Sequence, residues 1–206
     1  MILSDLSPSS YAAICADPPW AFSPLERNAY SLVMIDCPWT FSTYSPKGWG
    51  KSAQKHYGCM TMDDIAALPI RDLAADHCLV WAWCTAPLLD KQTAIIKGWG
   101  ARYVSSGVWV KTTAKSGGLA FGTGYSLRNC HETFVIAAFG KPKITSRSVR
   151  SVIMAPVREH SRKPDAAYQA ARALIPEGRA ADVFGRETRP GWESWGNESG
   201  KFNEAA

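Results

Sequence analysis

The 206-residue sequence predicts an α/β fold, a mostly parallel sheet with helices on both faces. Short apolar runs alternate with helical patterns, the rhythm in which strands and their crossover helices follow one another. Two of those runs end in nearly the same spelling, Asp17-Pro18-Pro19-Trp20 and Asp36-Cys37-Pro38-Trp39, as two strand-to-loop exits side by side in one sheet would. Neither a linker nor a low-complexity tract divides the chain, so one domain over residues 1–206 is expected, and 46% hydrophobic residues suffice for its core.

In chain order, strands are expected over 11–16 and 31–35, runs next to a leading tyrosine (Tyr11, Tyr30) and before the two exits. A helix follows over 61–68, a strand over 78–83, a helix over 87–97, and strands over 103–111, 133–139 and 149–154. The helix over 164–175 has Pro164 at its start, Asp165 in its first turn and Pro176-Glu177-Gly178 after it. A strand over 180–184 follows, and residues 199–206 are expected to fray. The tryptophans at 81, 83, 99 and 109 lie within these patterns and are expected in the core.

Composition excludes several classes. The chain has no run of about 18 uncharged apolar residues, which argues against a membrane helix, and Met1-Ile2-Leu3-Ser4-Asp5 lacks a signal-peptide layout. A cytoplasmic protein is expected. Cysteines at 15, 37, 59, 78, 84 and 130 form no Cys-x-x-Cys pair, and the four histidines complete no zinc-type spacing. Reduced thiols and no bound metal are therefore expected. The net charge of +5 is unevenly spread: residues 141, 143, 147, 150, 158, 162 and 163 are basic, against Glu159 alone. A polyanion-facing edge and an ordinary solvated loop both remain open.

The exits carry the chemistry. In open α/β sheets, ligands sit beyond the carboxyl ends of the strands. Asp-x-Pro-Trp brings a carboxylate, a stiff backbone and a flat aromatic to that location. The set suits an aromatic amine, a poor nucleophile whose lone pair is delocalised into its ring. A carboxylate and a backbone carbonyl can each accept one of its N–H groups, and the indole can stack on the base. Methyl transfer from a sulfonium then needs in-line positioning more than strong base catalysis. A plain turn with a core tryptophan remains the alternative at this level.

An ordered series extends from this exit: Asp36-Cys37-Pro38-Trp39, Ser45-Pro46-Lys47-Gly48, Lys55-His56-Tyr57, Met60-Thr61-Met62-Asp63-Asp64-Ile65 and Leu68-Pro69. It continues through Trp83, Trp99-Gly100, Val108-Trp109-Val110-Lys111, Gly122-Thr123-Gly124-Tyr125, Arg128 and Glu132. It closes with Glu159-His160-Ser161-Arg162-Lys163-Pro164-Asp165, Asp182-Val183-Phe184-Gly185-Arg186 and Pro190-Gly191-Trp192-Glu193-Ser194-Trp195-Gly196-Asn197-Glu198. The series resembles the MT-A-seventy family of S-adenosylmethionine-dependent adenine-N6 methyltransferases, in its compact bacterial and phage form, from about Tyr30 to Phe202.

The resemblance implies a Rossmann-like methyltransferase sheet in permuted order, with the catalytic loop early and the cofactor strand late. It implies Asp36, Cys37, Pro38 and Trp39 as the catalytic loop. S-adenosylmethionine would meet Asp17, Lys163, Asp182, Phe184, Arg186, Asn197 and Glu198. The acceptor would meet Tyr57, Lys111, Gly124, Arg128 and Glu132, with Lys163 near both. DNA is favoured over RNA as acceptor, and a protein partner or homodimer is left open. Two departures matter. Cys37 stands where the family usually has proline, and Asp17-Pro18-Pro19-Trp20 is an additional copy of the motif, 19 residues ahead of Asp36. Because the downstream series runs on from Asp36, Asp36 is expected to be catalytic and Asp17 to touch the cofactor adenine. The alternative of another class is a catalytically silent nucleic-acid-binding subunit. A nicotinamide-dependent dehydrogenase fails for want of an early Gly-x-Gly-x-x-Gly turn.

Overall fold

The computed structural model describes residues 22–40, 59–122, 124, 126–159 and 161–203. The strand expected over 11–16, the Asp17 exit and Tyr57 lie outside the described residues.

Seven strands form one sheet: β1 (Tyr30–Ile35), β2 (Ala74–Cys84), β3 (Arg102–Thr112), β4 (His131–Phe139), β5 (Val152–Pro156), β6 (Arg179–Val183) and β7 (Glu193–Trp195), in the order β5-β3-β4-β2-β1-β6-β7. β4 runs antiparallel to β2 and β3, while the other ladders are parallel. This reversal has a functional consequence. The first residues of β4 lie beside the last residues of β2 and β3, with Thr133 opposite Cys84 and Glu132 opposite Trp109. Glu132 therefore shares an edge with the carboxyl ends of the parallel strands.

Alternation along the strands separates the two faces. Val33, Ile35, Val80 and Ala82 join one buried cluster with Ile65, Leu68, Ile70, Ile96 and Trp99. Leu32, Met34, Trp81 and Trp83 join the other with Trp109, Phe134, Ala167, Tyr168 and Ala171. Helices α1 (Met62–Ala66), α2 (Ile70–Leu73) and α3 (Leu89–Gly98) thus supply the first face and α4 (Asp165–Leu174) the second. The result is the expected α/β, Rossmann-like arrangement, with the Asp36 exit early in the chain and β6 late. The four tryptophans expected in the core are buried there, and Trp81 stacks on Phe134 with ring centroids 4.0 Å apart.

Several boundaries differ from expectation. The first helix starts at Met62 because Thr61 caps it, its hydroxyl accepting from the Asp64 N–H and the Asp64 carboxylate from the Thr61 N–H, and it ends at Ala66, where the Leu68 N–H turns to the Ile65 carbonyl (3.2 Å). α2 and β7 were not expected; four and three residues are too short for a period to show. Residues 199–203, expected to fray, are tied down: Phe202 N–H donates to the Arg186 carbonyl (3.1 Å), and Thr188 N–H to the Asn203 side chain (2.9 Å).

Candidate active site

β1 ends at Ile35, beside Val183 of β6, and the Asp36 N–H donates to the Val183 carbonyl at 3.1 Å. The Asp36 carboxylate is thereby held at the carboxyl edge, between the exits of β1 and β6. From the other face, α4 begins just after Lys163, whose ammonium reaches that edge. Lys163 Nζ lies 2.7 Å from Asp36 Oδ2 and 2.9 Å from Glu132 Oε1, with the Ser161 carbonyl at 3.4 Å. The second Glu132 oxygen is 2.9 Å from Lys111 Nζ. Acid, lysine, acid and lysine thus form a continuous chain from β1 to β3. The Lys163 ammonium also stands 5.4 Å above the Trp83 ring.

The charges are unequal by construction. Burial pushes the Glu132 carboxyl up, but Lys163 and Lys111 together outweigh it and hold the group at about 2. Asp36 shares one lysine and faces Glu132, so burial prevails and its carboxyl is raised above the usual range. Burial lowers Lys163, but the two carboxylates outweigh it and keep the ammonium firmly protonated. Cys84, in the strand between them, is pushed up to about 12, first by burial and then by Asp36 and Glu132; it is an inert thiol.

The catalytic-loop expectation changes in two details. Trp39 is 4% exposed and packs into an apolar cluster, so its ring does not offer the base-stacking surface expected of it. The loop carbonyls are also not free of competing donors. Cys37 C=O accepts from the Trp39 N–H (2.8 Å) and Pro38 C=O from the Met60 N–H (2.9 Å). Each carbonyl retains a second lone pair.

A cleft beside this centre is lined by Asp36, Ser161, Lys163, Gly185, Arg186 and Arg189. Ser161 (φ 63°), in its lining, and Phe184 (φ 62°), just before the lining residue Gly185, adopt left-handed backbone, a conformation that costs on the order of 1 kcal/mol each. Of the residues expected at the cofactor, Arg186 lines the cleft. Its Nε donates to Glu198 Oε2 at 2.6 Å, and Glu198 also receives Lys201 at 2.5 Å. Phe184 is buried against Trp195, with centroids 5.2 Å apart, and Gly196, just before Asn197, packs against the Phe184 backbone. Asp182 sits one layer deeper. It is 1% exposed, accepts the Tyr168 hydroxyl at 3.0 Å, and is pushed up to about 7 by burial. A Cβ at Gly185 would collide with that carboxylate, so glycine allows the loop to close over it.

On the acceptor side, Lys111 and Glu132 join the centre, whereas Gly124 and Arg128 lie on the exposed β3–β4 loop. The sequence reading missed the residue that ties the cleft walls together. Glu187 receives Arg162 through two hydrogen bonds (2.9 and 2.5 Å) and Arg189 through one (2.7 Å). Arg189 in turn stacks 3.7 Å over the Tyr168 ring and bonds Asp165. The abundance of arginine around it was the available signal, and neither a polyanion-facing edge nor a solvated loop anticipates an internal acid partner.

The sheet order and the acid–lysine–acid centre at its carboxyl edge define a class, the Rossmann-like methyltransferase fold. The MT-A70 family model matches residues 30–198, and the chain belongs to that family. It is 30% identical over 153 residues to an N(6)-adenosine-methyltransferase MT-A70-like protein of Arabidopsis thaliana, covering 73% of this chain and 22% of that one. It is 30% identical over 154 residues to the human N(6)-adenosine-methyltransferase catalytic subunit METTL3, covering 73% and 26%. To the Type II methyltransferase M.MunI of Mycoplasma sp it is 25% identical over 202 residues, covering 96% and 81%. The chain therefore spans about a quarter of the length of these two adenosine-methyltransferase relatives.

Proposed function

We propose that this protein transfers a methyl group from S-adenosylmethionine to the N6 amino group of adenine in nucleic acid, with DNA favoured over RNA. The observation that carries the reading is the Asp36–Lys163–Glu132 centre, two acids sharing one buried lysine beside a cleft at the carboxyl edge.

The residues present fit the cofactor. The Glu198 carboxylate, with Asn197 beside it, suits a ribose diol, and Lys163 and Asp36 suit the carboxylate and ammonium of an amino-acid end. Asp182, lying beneath the cleft, holds the loop that would carry these contacts. The cofactor supplies an electrophilic methyl group on a positively charged sulfur. Asp36 accepts one N–H of the amine and orients its nitrogen, and the Cys37 carbonyl has a lone pair for the other. Cys37 supplies that carbonyl as proline would, with a less rigid loop. An amine that accepted this methyl group would become cationic and would have a proton to lose. Asp36, its affinity for protons raised by burial, is suited to stabilise that charge and take the proton. Lys163 holds Asp36 in place, and Glu132, clamped by two lysines, faces the base edge. Tyr57 and Asp17 are proposed at the acceptor and at the cofactor adenine on the motif match alone.

The preference for DNA draws on coverage. The alignment with M.MunI, a Type II methyltransferase, takes in 96% of this chain, against 73% for the relatives named for adenosine, a ribonucleoside. Relaxed specificity, or specificity supplied by a partner, is part of the proposal. No helix among the described residues is long and apolar enough to cross a membrane, and the reading carries with it a cytoplasmic location.

A catalytically silent nucleic-acid-binding subunit is the second reading, favoured by Cys37 and by the buried Trp39. The test is incubation with tritiated S-adenosylmethionine and unmethylated DNA or RNA, with product nucleosides separated. Label in N6-methyladenine from DNA above RNA supports the proposal. Cofactor binding without label in any base counts against catalysis, and absence of both favours the silent subunit.

A further inference from the structure

Between β3 and β4, residues 113–130 include Lys115 and Arg128 and no acid. The loop first folds back on its own strand. Thr113 N–H donates to the Gly118 carbonyl (2.8 Å), Ala120 N–H to the Lys111 carbonyl (2.8 Å), and Leu119 bridges Thr112. Its second half is compact because two glycines allow backbone to meet backbone. A Cβ at Gly122 would collide with the Asn129 carbonyl oxygen, and one at Gly124 with that of Leu127. This folding leaves three large apolar side chains outside, Leu119, Phe121 (79% exposed) and Leu127 (82%). The Arg128 guanidinium lies 5.3 Å over the Phe121 ring, and neither Arg128 nor Lys115 has an ion-pair partner among the described residues.

Exposed apolar side chains of this size, gathered in a loop, mark a contact surface. The charge and the location favour one kind of occupant. Lys111, one residue before the end of β3, pairs with Glu132, the second residue of β4, and Glu132 leads through two further ion pairs to Asp36. An aromatic face flanked by unpaired cations, with no carboxylate in the segment, suits stacked bases and their phosphates better than it suits an acid-bearing protein surface.

We infer that this loop is a stacking platform: Phe121 and Leu127 hold the bases next to the target adenine in a single, unpaired nucleic-acid strand, and Arg128 and Lys115 meet its phosphates. The inference rests on the nucleic-acid acceptor proposed above and names a part of the protein that engages it. A strand read in this way is unstacked on its target side, so the platform favours single-stranded or locally opened substrate over closed duplex.

The test is the fluorescence anisotropy of a short fluorescein-labelled single-stranded oligodeoxynucleotide containing adenine, titrated with the full chain. Phe121→Ala weakens binding about tenfold, Phe121→Trp restores it, and cofactor affinity by calorimetry is the same in all three proteins. Unchanged oligonucleotide affinity in Phe121→Ala and Leu127→Ala overturns the inference, as does a wild type that does not bind the strand. A fall in sedimentation coefficient in those variants, with oligonucleotide affinity unchanged, overturns it in favour of a second copy of the chain. If binding depends on Phe121 but no methyl group is transferred, the platform stands and the methyltransferase reading fails.

Discussion

Lys163 is the residue on which the two key acids depend, at 4% side-chain exposure and within 2.9 Å of both. Lys163→Met is expected to abolish transfer and to destabilise the fold by about 3–5 kcal/mol, because Asp36 and Glu132 would face each other unscreened. Urea unfolding checks this; a loss below about 1 kcal/mol would show that the acids have other support. The buried acids also predict opposite pH behaviour. Glu132 is held at about 2, below its ordinary 4.5, so its contribution to stability is full above 4.5 and is lost as pH falls toward 2. Asp182 is raised from 3.8 to about 7, so its contribution is full below 3.8 and is lost as pH rises through 7. Asp182→Asn should therefore flatten the decline in denaturation midpoint between about pH 4 and about pH 7, and parallel curves for the two proteins would contradict that. At this scale much was legible in the sequence: Asp36, Lys163, Glu132 and Lys111 were all singled out, and they converge. The burial of Trp39 and of Asp182 was not, because an aromatic or an acid next to a motif reads identically whether it faces the cleft or lies beneath it.

Among the elements, the connection entering α4 and the loop leaving β6 form the cleft, and Glu187 joins them through Arg162 and Arg189. Glu187→Gln removes the charge from those bonds while keeping the side chain's size. It should raise the cofactor KM about tenfold and change kcat about twofold or less, since the clamp orders the binding walls without touching the reacting atoms. Equal losses in KM and kcat, or none in either, would count against a positioning role. The long elements were readable from their runs and helical patterns. β7 and α2 were not, since their conformations are imposed by pairing with β6 and by packing of Ile70 and Leu73 into the core. The reversed direction of β4, which brings Glu132 to the site, is a matter of topology that no local pattern encodes.

For the molecule as a whole, the basic stretch from 141 to 163 divides in two. Arg158, Arg162 and Lys163 are engaged by Asp165, Glu187, Glu159, Asp36 and Glu132, whereas Lys141, Lys143, Arg147 and Arg150 are exposed without ion pairs among the described residues. Neither open reading of this segment was complete: three of its seven cations hold the site together. Neutralising Arg128 or Lys115 should lower the salt dependence of oligonucleotide affinity by about one unit of slope, while Arg158→Gln should leave it unchanged; the reverse pattern would mean that the inner cations reach phosphate after all. The central claim is that the Asp36 centre performs the chemistry, and that the copy of its motif at Asp17 does not. The most direct measurement is methyl transfer to unmethylated DNA by wild type, Asp36→Ala and Asp17→Ala at saturating cofactor. The account predicts that N6-methyladenine formation is lost in Asp36→Ala and merely weakened in Asp17→Ala. Full activity in Asp36→Ala with loss in Asp17→Ala would contradict it and move the catalytic loop to the first exit.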